Sequence, residues 1–416
     1  MKLPYNVRIP KHLDAIAGSG ADEEDPEAAG LPPRAVNAIW NALQDLYRSA
    51  AFPAVTFCLR RRGHVVLNRS IGHASGNGPR DPEDAPKRLA RPDTPICIFS
   101  ASKAITAVLV HKLAEDGGID LDHRVSHYLP EFVQANKQDT TIANVLSHRG
   151  GFPMFDLPAD AKRAETLLDW KRCVGLICAA PPAHRGAPRM AYHAITGGFI
   201  LGEIIQRVTG KSLQVYLDET LRKPLSMKTF TYGLAPEHRD EVALNYVAGT
   251  PVIFPISKLL EKALVVPLED VVAASNASIF MDAVVPAGNI YATAEELSRF
   301  YQLLLDGGVY QGQRVLREDT IERMVRPACK LQFDHTLKIP MRYSEGFMLG
   351  AGSFGLFGPM SPMAYGHLGF MNILGWADPQ REIAASLLVT GKAVLGAHLL
   401  ALGELLTVIA WQCRRT

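Results

Sequence analysis

Strand-forming patterns sit at both ends of this chain, and helical patterns fill its middle. Near the start, Ala54 to Leu59 and His64 to Asn68 flank Arg60-Arg61-Arg62-Gly63, which predicts a hairpin. Near the end, Gly366 to Phe370, Asn372 to Ala377 and Ile383 to Val389 read as strands, the last two joined by the turn Asp378-Pro379-Gln380-Arg381. Arg34 to Ala51 and Thr293 to Leu305 carry apolar residues at helical spacing, and helical patterns dominate from Ser100 to about residue 225. The economical fold is α+β. One antiparallel sheet is built from both chain ends and flanked by helices, with a mainly helical lobe inserted. The expected division is a mobile leader or surface strap over 1–33 and a single unit over 34–416. Within that unit an α/β lobe spans about 34–95 and 285–416, and the helical lobe about 96–284.

Composition narrows the class. With 47% hydrophobic and 21% charged residues, the 416-residue chain is neither disordered nor a disulfide knot. Lys+Arg 44 against Asp+Glu 42 gives +2, too balanced for a nucleic-acid binder. Six scattered cysteines without a paired CxxC read as buried free thiols. The first residues hold no apolar signal core, so the expected compartment is the cytoplasm. Ala393 to Trp411 is almost long enough to span a bilayer, but His398 and Glu404 sit inside it. A core helix packed on the sheet is the expectation, not a membrane anchor.

The chemistry centres on Ser100-Ala101-Ser102-Lys103. Lys103 lies in a stretch apolar on nearly every side (Ala104, Ile105, Ala107, Val108, Leu109, Val110, Leu113), which predicts a buried helix. An unpaired lysine is costly to bury, and burial lowers its pKa until the amine accepts a proton. Ser100, three residues earlier, would share its face at the helix N-terminus. A serine nucleophile needs such a base. The bland alternative is an N-cap serine and a snorkelling lysine, and a chain this long holds about one S-x-x-K by chance. Two further segments invite attention. Tyr192 follows a Gly/Pro loop and precedes the Ile195 to Val208 helix; a tyrosine there can move protons if cations lower its pKa, or simply pack. Gly366-His367-Leu368-Gly369-Phe370, on an expected edge strand, suggests close approach of backbone to a ligand, or a plain Gly-rich turn.

Together these segments resemble the serine β-lactamase and penicillin-binding-protein-like superfamily, in particular its family VIII carboxylesterase branch, related to class C β-lactamases. Its S-x-x-K, Y-x-N and K-T-G (or H-x-G) order is matched by Ser100-Ala101-Ser102-Lys103, Tyr192-His193-Ala194 and His367-Leu368-Gly369. Three framework stretches are similar too: Leu121 to Glu131, Thr141 to Gly151 and Pro286 to Ala294. The resemblance implies a β-lactamase/transpeptidase-like fold and a serine hydrolase acting on short-chain carboxylic esters through an acyl-serine. In it Ser100 is the nucleophile, Lys103 and Tyr192 shuttle the proton, and the N–H groups of Ser100 and Phe370 form the oxyanion hole. His367, Gly369 and His193 lie at the substrate. No metal or cofactor is implied, and the partner is a small-molecule ester, with self-association left open.

Departures from the pattern matter. Ala194 replaces the asparagine of Y-x-N, and His367 removes the lysine charge that would meet a β-lactam carboxylate. Both weaken a β-lactamase or D-Ala-D-Ala peptidase reading and leave ester hydrolysis or acyl transfer intact. An inactive scaffold or membrane-associated relative is the alternative of another class. Apolar runs around Phe254 to Val266 and Phe354 to Phe357 are candidates for an acyl pocket, and Leu259 to Ala273 for a flap. Ser353, in Ala351-Gly352-Ser353-Phe354-Gly355, is a decoy of the G-x-S-x-G elbow, and His148 and Asp122 read as framework.

Overall fold

The computed structural model describes residues 5–154, 169–183, 189–254, 257–258 and 267–415. Its main sheet draws on both chain ends. The elements used below are β1 (Ala17–Ser19), α1 (Pro33–Arg48), β2 (Ala54–Arg61), β3 (His64–Ser75), α2 (Ser102–Glu115), α3 (Thr196–Thr209) and α4 (Ala294–Leu305). After them come β4 (Met348–Leu349), β5 (Tyr365–Gly369), β6 (Ile373–Asp378), β7 (Ile383–Val389) and α5 (His398–Gln412). The strand order is β1-β3-β2-β7-β6-β5-β4, every pair antiparallel, with Arg88–Leu89 also pairing with β3. The β2–β7 pair, in register from Val55↔Val389 to Arg61↔Ile383, joins the two ends of the chain.

Helices cover both faces. Alternate residues of a strand point to opposite sides. Arg60 and Cys58 of β2 meet Ser298 of α4 on one face. Arg69, cross-strand from Phe57, lies over Trp40 of α1 on the other. β6 and β7 are buried throughout, which is why they read as near-continuous apolar runs rather than strict alternation.

Several expectations change in detail. The hairpin strands run to Arg61 and from His64, so the turn is only Arg62-Gly63, both at positive φ (50° and 84°), the twist a two-residue hairpin favours. The N-terminal segment is a bound strap rather than a mobile leader. β1 extends the sheet edge, and the first carboxylates of the acidic run Asp22 to Glu27 bind β3. Asp22 accepts from Asn68, Glu23 takes Arg69 in a two-pronged pair, and Glu24 accepts from Val65 N–H and His64. The apolar C-terminal stretch begins its helix at His398 and packs on α1, but only one face is buried. Leu400 stands 81% exposed on the other side, so α5 is amphipathic by position rather than a core helix. Among the described residues no helix is long and apolar enough to cross a membrane.

Candidate active site

Ser100 lies in a single 3-10 turn, Phe99–Ala101, from which α2 springs. A short sheet beside it sets the position. Ile96–Cys97 pairs with Ile290–Ala292, and Ile98 N–H donates to the Ile290 carbonyl (2.9 Å). The stretch Pro286 to Ile290 then grips the first turn of α2. Ile290 N–H donates to Ser102 Oγ (3.0 Å), Thr106 Oγ1 to the Pro286 carbonyl (2.6 Å), and Lys103 Nζ to the Ala287 carbonyl (2.9 Å). Phe99, just before the serine, is held at φ +46°, a left-handed conformation that costs a non-glycine residue about 1–3 kcal/mol.

Lys103 Nζ also donates to Ser100 Oγ at 3.0 Å. The lysine is 8% exposed, and burial lowers its ammonium to about 7. No described carboxylate bonds it, so nothing offsets desolvation of the charge. Near neutral pH a large share of the lysine is therefore free amine next to an alcohol, the arrangement a serine nucleophile requires.

Tyr192 closes the other side. Lys103 Nζ lies 5.0 Å from its ring centroid, and the phenol hydrogen-bonds with Ser100. Burial pushes the phenol above its ordinary range, and the bond with Ser100 opposes this only in part. The condition that cations lower it is not met: desolvation outweighs the bond with Ser100, and the Asp334 charge adds to the rise. Tyr192 is thus a held proton, not a phenolate.

His367 of β5 lies 6.1 Å from the Tyr192 ring and is 1% exposed. Burial, then the Lys103 charge, lowers its imidazole to about 3, so it is neutral at pH 7 rather than partly protonated. Its Nδ1 pairs with the Leu368 carbonyl (2.6 Å), which leaves Nε2 as a buried acceptor without a partner among the described residues. Past Gly366 the outer side of β5 has no strand partner, since β4 pairs only with Tyr365 and Gly366. That open edge runs beside the turn of Ser100, with the Phe99 and Phe370 rings 5.3 Å apart. The Ser100 and Phe370 amides have no backbone partner outside their own elements among the described residues.

One expected substrate contact sits elsewhere. His193 is buried behind Tyr192, with Phe152 N–H donating to its Nε2 (3.4 Å) and its ring stacked near His148. It faces the protein, because its side chain supports the loop that Tyr192 leaves. Gly369 allows a close approach of backbone: a Cβ there would sit 2.4 Å from the Ile98 carbonyl. Ser353 is exposed on the Phe354–Gly355 hairpin, and Phe354 lies against Gly403 of α5, so neither lines this site. Phe357 stacks on Trp376 in the core. Leu259 to Val266 fall outside the described residues, and the remainder of the expected flap is the helix Leu268–Ser275.

With Ser100, Lys103 and Tyr192 converging beside the free edge of β5, the comparison with known proteins is direct. The Beta-lactamase family model matches residues 39–402. The chain belongs to the Beta-lactamase family. An esterase/beta-lactamase, LipL of Mycobacterium tuberculosis, is 28% identical over 71% of this chain and 69% of its own length. A solved family VIII carboxylesterase superposes with a TM-score of 0.76 at 27% identity, covering 92% of this chain and 98% of that one. A penicillin-binding-protein homologue from Caulobacter crescentus shares the fold at TM-score 0.76 and 23% identity, over 92% and 99% of the two chains. This member of the Beta-lactamase family is a serine hydrolase.

Sequence reasoning missed the support of Tyr192. Asp334 is fully buried. Its Oδ1 accepts from the N–H groups of Tyr192 (3.2 Å), Thr336 and Leu337 (both 2.8 Å), and its Oδ2 from Tyr343 Oη (2.9 Å). His148, at φ +59°, packs on Tyr192 and Tyr343 and accepts from His193 N–H at Nδ1 (3.2 Å). The local Asx turn at Asp334 is legible in Asp-His-Thr-Leu; its reach to residue 192 is not. Asp334→Ala strands two buried donors (Tyr192 N–H and Tyr343 Oη) and frees two partly buried ones, and should cost about 2–4 kcal/mol of stability, read by chemical denaturation.

Proposed function

We propose that this serine hydrolase is a carboxylesterase of short-chain esters working through an acyl-serine. The observation that carries the reading is the 3.0 Å contact between Ser100 Oγ and an amine lowered to about 7 without a counter-ion. Lys103 takes the Ser100 proton as Oγ attacks the ester carbonyl carbon. The carbonyl π electrons move onto oxygen, and that oxyanion is received by the Ser100 and Phe370 N–H groups. When the C–O bond to the alcohol breaks, Tyr192 protonates the leaving alkoxide and is reprotonated from Lys103. Water then enters by the reverse relay: its proton goes to the base, its oxygen to the acyl carbon, and Ser100 leaves with a proton restored.

The neutral His367 favours esters over β-lactams. An ester brings no carboxylate that needs a cation, whereas a β-lactam does, and an imidazole lowered to about 3 supplies none. Resemblance to LipL and to a family VIII carboxylesterase supports the same choice. The test compares p-nitrophenyl acetate and butyrate with nitrocefin. We expect kcat/KM for the esters to exceed that for nitrocefin by at least about 100-fold. Equal turnover of nitrocefin would replace the esterase reading with a β-lactamase one.

A further inference from the structure

Lys392 is buried more deeply than Lys103 and belongs to no step above. It is 0% exposed, in the short strand Gly391–Lys392 that pairs with Tyr246–Val247. Its Nζ donates to the Val389 carbonyl (2.9 Å), and no described carboxylate bonds it. A buried ammonium is an expensive way to fill space that a methionine would fill at no electrostatic cost. What it touches is specific: Nζ lies 4.7 Å from the ring centroid of Phe99.

Phe99 is the left-handed residue that aims Ser100, and its ring packs at 5.3 Å on that of Phe370. The same short strand reaches the second amide by another route. Phe370 is followed by Met371 and Asn372, both at positive φ (54° and 70°), and Asn372 Nδ2 donates to the carbonyl of Ala393, next to Lys392 (3.0 Å). The strand lies close against the neighbouring backbone: a Cβ on Gly391 would lie 1.9 Å from the Ala51 carbonyl. One closely packed segment thus meets both amides' supports, the ring of Phe99 on one side and the turn after Phe370 on the other.

We propose that Lys392 is a positioning residue for the oxyanion pocket, acting through the ring of Phe99 on the Ser100 and Phe370 amides. The proposal rests on the acyl-serine reading. Burial lowers the Lys392 ammonium to about 7; its protonated form is attracted to the ring face and its neutral form still packs on it, so the contact ties a strained backbone to the Gly391–Lys392 strand. Small shifts of an oxyanion donor weaken the transition state more than the bound ester, so the effect belongs in kcat.

The experiment measures kcat, KM and Tm for Lys392→Met, Phe99→Leu and the double variant on p-nitrophenyl butyrate. Ser100→Ala runs alongside, and rates are normalised to folded protein. We expect Lys392→Met to lower kcat about 10-fold, less than the 10²–10³ for loss of a whole donor. KM should stay within about two-fold and Tm unchanged or higher, because an uncharged isostere spares the desolvation cost. Phe99→Leu should do the same, and the double variant should be no worse than either single one, since one path is cut twice. Wild-type kcat in Lys392→Met, or losses that multiply in the double variant, would overturn the role of Lys392. A fall in kcat that matches a fall in Tm and vanishes on normalisation would also overturn it. If Ser100→Ala alone is inactive while Lys392→Met is normal, only the positioning role fails; if both keep full activity, the acyl-serine reading falls with it.

Discussion

Ser100→Ala should lower kcat for p-nitrophenyl butyrate by at least about 10³-fold while the protein keeps its fold. Ser100 Oγ is the hydroxyl bonded to the Lys103 amine, which burial lowers to about 7, and its removal leaves the carbonyl carbon without an attacking atom. The fold should survive because the turn over Phe99–Ala101 is held by backbone bonds, such as Ile98 to Ile290, that do not involve this hydroxyl. A fluorophosphonate probe gives the complementary reading. Peptide mass spectrometry should place the adduct on Ser100 in the wild type and find none in the variant. An adduct on Ser353, or full activity in Ser100→Ala, would overthrow the mechanism.

Lys103→Met comes next in size, with kcat expected to fall about 10²–10⁴-fold, the range of a lost general base. The pH dependence follows from the sign of the shift. Below about pH 7 the Lys103 amine is protonated and cannot accept from Ser100, so wild-type kcat/KM should rise with pH and level off above about 7. In the variant that limb should vanish. Stability moves the same way with pH. The unfolded lysine titrates near its ordinary value of about 10.4, so between about 7 and 10 the unfolded state binds more protons than the folded one. Stability therefore rises with pH across that window, and below it the folded state carries the full cost of the buried charge. Lys103→Met removes this cost and should raise Tm at pH 6 while destroying activity. A profile that stays flat through pH 7 in the wild type would show that the base lies elsewhere.

The parts of the site that were legible in the sequence share a property: their chemistry is written within a few residues. Ser100 and Lys103 stand one helical turn apart in an apolar stretch, and an apolar stretch announces burial whatever it packs against. His367 could be flagged by its glycines, and the alternation around it read as a strand. The glycines also serve a packing need that the sequence did not show. Gly369 admits the Ile98 carbonyl, a contact that depends on which backbone lies opposite. His193 shows the same limit. It adjoins Tyr192, but on a loop consecutive side chains point apart, and this one turned toward Phe152.

Ionisation was the least legible quantity. Residue type suggested a partly charged His367 and a Tyr192 lowered by cations. Both shifted the opposite way or further, because desolvation dominates in a pocket that excludes water. The carboxylate that holds Tyr192 illustrates a second gap. Asp334 binds the Tyr192 amide across 142 positions of chain, and no local pattern encodes that meeting.

The sequence by itself determined the ordering of the elements. Strands lie at both ends with helices between, one turn opens an apolar helix at Ser100-x-x-Lys103, and a capped start marks α4. Hydrophobic period and capping act over a few residues and so survive in a one-dimensional text. The tertiary structure alone decided that β2 and β7 close one sheet and that the acidic strap binds β3. It alone set the Lys103 amine near neutrality and brought Lys392 onto the ring of Phe99. Those outcomes depend on contacts between segments from 40 to more than 300 residues apart and on how completely water is removed from between them, and only the folded chain fixes either.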